Sequence, residues 1–82
     1  MNIREYIGNA KELTYKQVKA LPPGTRVRVH HIDSDGVYNI TPMTVVQFGK
    51  KKILTRMGYK GYLIEKPIKE ETERFCYTED LR

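Results

Sequence analysis

Pro22-Pro23-Gly24 separates two stretches of different periodicity. Before it, Ile3, Tyr6, Ile7, Ala10 and Leu13 recur at helical spacing. After it, Thr25 to Ile32 alternates, with Val27 and Val29 on one side and Arg26 and Arg28 on the other. Proline restricts the residue that precedes it and glycine permits a turn, so no helix crosses this point. The chain has 82 residues, enough for one small domain with a modest core. Residues 1–21 read as an N-terminal helical segment and residues 22–82 as a β domain.

The first helix is expected over Asn2 to Leu13, weakened by Gly8 and Asn9 in its middle. Thr14 followed by Gln17 is a capping box, and it predicts a helix from Tyr15 to Leu21. These one or two short helices would cover an open end of the later sheet. Strands are expected at Met43 to Phe48, Lys52 to Met57, Tyr62 to Glu65 and Phe75 to Tyr77. Val37 to Thr41 reads as an irregular strand or loop arm ended by Pro42, and Thr78 to Leu81 as a terminal turn capped by Thr78. The expected core is Val27, Val29, Val46, Phe48, Leu54, Leu63, Phe75 and Tyr77, with Ile32 and Ile64 as further members. Val45 competes with Val46, and Ile53 with Leu54, because a one-residue slip exchanges the faces.

The expected fold class is mainly β: a small, bent antiparallel barrel of about five strands behind the helices. The order Leu21-Pro22-Pro23-Gly24-Thr25-Arg26-Val27-Arg28-Val29, a long loop, Thr44-Val45-Val46, a basic turn, Ile53-Leu54-Thr55-Arg56, Tyr62-Leu63-Ile64 and Cys76 to Leu81 resembles the bacterial SH3-like small barrels. The resemblance covers about residues 21–81 and implies that fold. It does not imply binding of proline-rich peptides: Phe48 stands alone, and the chain has no tryptophan for a clustered aromatic surface. A small basic chain of this kind is also similar to accessory proteins of phages and mobile elements.

The hydrophobic fraction is 39% and the charged fraction 30%, which fits a soluble globular domain. Cys76 is the only cysteine, so no internal disulfide framework exists and a reducing compartment is expected. No apolar run approaches the roughly 18 residues of a membrane span. Charges are scattered through the first twenty residues, which excludes a signal-peptide pattern there and makes a cytoplasmic protein with no membrane partner the expectation.

Four features invite chemistry. His30 and His31 are neighbours on a strand, so their rings take opposite faces and cannot chelate one metal. Asp33-Ser34-Asp35-Gly36 begins like a calcium loop, but its glycine is fourth and Thr44 stands at the twelfth position, so a turn is the better reading. Cys76 would need a base such as His30 or His31 to act as a nucleophile, and it reads as a packed thiol. Gly58-Tyr59-Lys60-Gly61 resembles a backbone-clamping RNA loop, but it sits between strands instead of helices. The sequence therefore implies no metal, no cofactor and no enzyme.

One constellation remains. Residues 47–64 hold five basic side chains and no acid, in a chain of net charge +5. The candidate binding residues are Lys50, Lys51, Lys52, Arg56, Tyr59 and Lys60, with Tyr62 beside them. Lysine and arginine neutralise phosphates and tyrosine stacks on bases, so nucleic acid is the first expected partner. The alternative is an adaptor or inhibitor that contacts an acidic surface of a larger protein.

Overall fold

The computed structural model describes residues 2–80. Its elements are α1 (Arg4–Ile7), β1 (Glu12–Leu13), α2 (Tyr15–Ala20), β2 (Arg26–Ile32), β3 (Tyr38–Phe48), β4 (Lys51–Met57), a 3₁₀ turn (Tyr59–Gly61), β5 (Leu63–Pro67) and β6 (Phe75–Glu79). The strands form one antiparallel sheet in the order β1-β6-β2-β3-β4-β5.

The N-terminal helix is shorter than its periodicity predicts. Gly8 adopts φ 60° and ψ −127°, which a side chain would strain, and the helix stops after Ile7. Glu12 and Leu13 then pair with Thr78 and Tyr77, so a strand lies inside the expected helical segment. α2 follows the sequence closely. The Thr14 hydroxyl accepts from the Gln17 backbone N–H, and the Gln17 side-chain amide oxygen Oε1 accepts from the Thr14 backbone N–H.

The expected SH3-like barrel is not what forms. Among the described residues there are six strands, and the edge strands β1 and β5 do not pair with each other. Pro67 ends β5 without an N–H to extend a ladder, and the chain leaves the sheet there. A side chain spans this gap. The Tyr77 hydroxyl donates to the Lys69 carbonyl at 2.9 Å and accepts from the Lys69 N–H at 3.0 Å. The sheet stays open, with a phenol holding the loop after β5.

Residues opposite one another in antiparallel strands project to one face. The register therefore puts Leu13, Tyr77, Val29, Val27, Met43, Val45 and Leu54 on one inner face. Val18 of α2, Leu21 just after it and Ile68 after β5 pack onto it to make the main core. On the outer face, Ile3 of the α1 region packs with Ile32 and Cys76, joined by Ile7 and Tyr38.

Several expected core positions change with this register. Val27, Leu54, Phe75, Tyr77 and Ile32 are buried; Val29, Val46 and Ile64 are half-buried. Phe48 and Leu63 are 55% and 54% exposed, because they lie on the outer face where no helix covers them. Val45 takes the inner position instead of Val46, whereas Ile53 and Leu54 are both buried. The strand at Phe75 runs on through Thr78, which is buried in β6 and caps no helix; Leu81, the end of that expected turn, lies outside the described residues.

This placement has a measurable consequence. We expect Val45→Ala to cost about 1–3 kcal/mol in urea unfolding. Val46→Ala should cost about 1 kcal/mol or less. The reverse order would show that the β3–β4 register is off by one residue.

Candidate functional site

The six residues singled out by sequence do not form one surface. Lys50 and Lys51 stand exposed at the β3–β4 turn, where Gly49 takes φ 61°. Tyr59 and Lys60 stand exposed at the opposite end of β4. At about 3.4 Å per residue, a seven-residue strand puts roughly 20 Å between these ends. Tyr59 is 86% exposed, and the Lys60 ammonium lies 5.6 Å from its ring centroid. Lys52 belongs to neither group. Its Nζ donates to the carbonyls of Lys19 and Leu21, both at 2.9 Å, and so caps the C-terminal end of α2.

Arg56 is the exception, since it joins residues the sequence did not single out. α2 covers only part of the apolar inner face. The remainder is a cleft of about 350 Å³ lined by residues of β2, β3, β4, β5, β6 and the segment after β5. Val29, Met43, Leu54 and Phe75 supply apolar lining; His31, Arg56, Lys66 and Lys69 supply cationic and imidazole groups, and no acid lines it. The register explains the gathering: Leu54 faces Lys66 across β4–β5, and His31 faces Phe75 across β2–β6. The Lys69 ammonium lies 4.6 Å from the Phe75 ring centroid. The alternation of β2 could have pointed to His31, which shares the Val27 and Val29 side. Lys66 and Lys69 depend on pairings that no local pattern encodes.

Several other cations are already matched. Arg26 and Arg28 both reach the nearly buried Asp80 carboxylate at 3.3 Å, and Arg4 pairs with Glu12 at 2.8 Å. Arg74 donates to the backbone carbonyls of Ile32 and Asp33. Arg56 and Lys66 make no ion pair among the described residues.

The residues weighed for chemistry are occupied by structure. His30 and His31 take opposite faces: His30 is buried and His31 exposed. His30 Nδ1 lies 2.6 Å from the Tyr38 hydroxyl and Nε2 lies 2.7 Å from Thr78 Oγ1, so both ring nitrogens have partners. Tyr6 stacks on Tyr38 at 4.7 Å between centroids, which links this network to α1. Cys76 is fully buried, and burial pushes its thiol up to about 11, far from a thiolate nucleophile at neutral pH. Asp33 accepts from the N–H groups of Val37 and Asp35, both at 2.9 Å. Those bonds, Val37's first, hold its carboxyl below the ordinary range, as an Asx turn does. Among the described residues, no three His, Cys, Asp or Glu side chains gather as a metal site. Also among them, no helix is long and apolar enough to cross a membrane.

No protein-family model matches this chain, and neither a curated protein nor a solved structure matches it.

Two outcomes test these assignments. Lys52→Ala should cost about 1–2 kcal/mol through two lost hydrogen bonds. Lys50→Ala and Lys51→Ala should each stay within about 0.5 kcal/mol. Second, burial, then the charge of Arg28, hold the His30 pKa below its ordinary value, against a smaller opposing effect of Glu12. The unfolded chain therefore binds a proton first as pH falls below about 6.5. Stability from His30 is present above that pH and declines toward the lower folded pKa. Urea midpoints measured across that window should fall, and the fall should shrink in His30→Gln.

Proposed function

We propose that this protein is a binding module, without chemistry of its own, that holds an acidic protein partner in the inner-face cleft. The observation that carries the reading is an apolar-lined cavity bordered by His31, Arg56, Lys66 and Lys69, with no carboxylate of the described residues lining it. An apolar side chain of the partner would fill the space over Val29, Met43 and Leu54. Its flanking carboxylates would meet Arg56 and Lys66, which have no ion-pair partner among the described residues. Anchors of this type concentrate binding energy in a few desolvated contacts.

Nucleic acid fits the same cations less well. Bases bind to exposed aromatic faces set among the charges. The aromatic ring in the cleft, Phe75, is buried beside Lys69. The exposed Tyr59 stands at the hairpin tip, with Lys60 as its near cation and Lys50 and Lys51 at the far end of β4.

The test compares the wild-type chain with Arg56→Glu/Lys66→Glu in affinity capture from the native cell, after circular dichroism shows that both fold. A partner retained by the wild type, released by salt and lost from the double variant is the expected result. In parallel, short DNA and RNA are titrated from roughly 50 to 300 mM salt. Micromolar nucleic-acid binding that is lost in Lys50→Ala/Lys51→Ala and kept in the cleft variant would replace the protein-partner reading.

A further inference from the structure

β3 serves two ladders. Residues Tyr38 to Thr44 pair with β2, and Thr44 to Phe48 pair with β4. The Val45 N–H donates to the Thr25 carbonyl at 2.8 Å, and the Val45 carbonyl accepts from the Gly24 N–H at 2.7 Å. Val45 therefore directs its peptide groups to the β2 side. Backbone alternation turns those of Thr44, Pro42 and Ile40 to the β4 side. The β3–β4 ladder nevertheless ends at Thr44 opposite Thr55. In the same register, the next bonded pair would be Pro42 with Met57, and proline has no N–H to give. On β4, the Gly58 N–H donates to the Tyr62 carbonyl at 2.6 Å, toward β5. Alternation then directs the peptide groups of Met57 away from β5, toward β3.

The two strands part here and leave a fork of about 480 Å³, lined by Arg26, Ile40, Thr41, Pro42, Thr44, Thr55, Arg56 and Met57. Ile40 is 49% and Met57 65% exposed, an apolar pair beside unpaired backbone. Arg56 brings a cation without an ion pair among the described residues, and Arg26, which shares the Asp80 carboxylate with Arg28, adds a second.

We propose that this fork docks an extended acidic segment of a partner protein by strand pairing with β3. Ile40 offers a donor and an acceptor, and Pro42 offers an acceptor alone. The occupant's register is therefore fixed by Ile40. An apolar side chain of the segment packs between Ile40 and Met57, and a carboxylate on the same segment meets Arg56. This is β-strand addition, in which main-chain bonds give affinity and alternate side chains give selectivity. It stands on the ladder and its break, and not on the inner-face cleft; Arg56 alone is common to both.

The test uses the full ¹⁵N-labelled chain and blocked hexapeptides of alternating valine and glutamate. Amide shifts at Ile40, Thr41 and Met57 with millimolar peptide are expected. Methylating the peptide's backbone nitrogens along one edge and then the other should weaken binding about tenfold or more for the edge that meets β3. A lysine-for-glutamate peptide should not bind. Pro42→Thr supplies the missing N–H, so it should slow hydrogen exchange at Met57 and abolish the peptide shifts. If that variant does not fold, Arg56→Glu should weaken the valine–glutamate peptide by a similar factor. No shift with the valine–glutamate peptide, equal binding of both methylated forms, or equal binding of the lysine peptide overturns the proposal. So does single-stranded DNA perturbing the same amides more strongly than the peptide. A concentration-dependent dimer in sedimentation that blocks the same amides would assign the fork to a second copy of the chain instead.

Discussion

The rest of the sheet depends on one strand being shared. β3 spends its first half on β2 and its second half on β4, with Thr44 common to both. An eleven-residue strand can do this because its peptide groups point alternately to its two sides. Pro42 sits within the half that serves β2, at a position whose missing N–H would point toward β4. One residue thus ends a ladder on one side of the strand without disturbing the other. The sheet stays open at its edges, since β1 and β5 do not pair with each other.

Two short helices do what two more strands would do in a closed barrel. α2 lays Val18 and Leu21 over the inner face, and Lys52 holds its C-terminal carbonyls from the far side of the hairpin. The α1 region covers the outer face with Ile3 and Ile7, and Tyr6 lies against Tyr38. Neither cover reaches the ends of the strands it protects. What remains uncovered is the material from which a binding surface can be made. Several cations outside it are engaged with a carboxylate or backbone carbonyls, as Arg4, Arg28, Lys52 and Arg74 show.

Local chemistry was legible in the sequence; partnership between distant strands was not. The Thr14–Gln17 capping box and the valine alternation of β2 are signals carried within a few residues, and both appear as read. The Pro22-Pro23-Gly24 break separates helix from strand as expected, although β1 precedes it. Phe48 and Leu63 were misread because hydrophobicity does not say which face a helix covers. Val45 and Val46 are chemically equal, and only the pairing with Leu54 and Ile53 distinguishes them. Likewise, Lys50 to Lys52 form a run in sequence, yet one of the three is spent on α2. The cleft brings His31 together with Lys66 and Lys69 from more than thirty residues further on, through a register that composition cannot encode.

The thiol beneath α1 has a consequence for how this domain can be watched. Cys76 is the chain's single cysteine, fully buried against Ile3 and Ile32, with its acidity suppressed by that burial. An alkylating reagent reaches it only during excursions that lift the N-terminal turn or unfold the whole sheet. The labelling rate is therefore the intrinsic thiol rate scaled by the fraction of time the lid is off. Comparing that fraction with global unfolding would show whether the N-terminal turn breathes independently of the strands below. The molecule carries its own clock for this motion, with no engineered probe required.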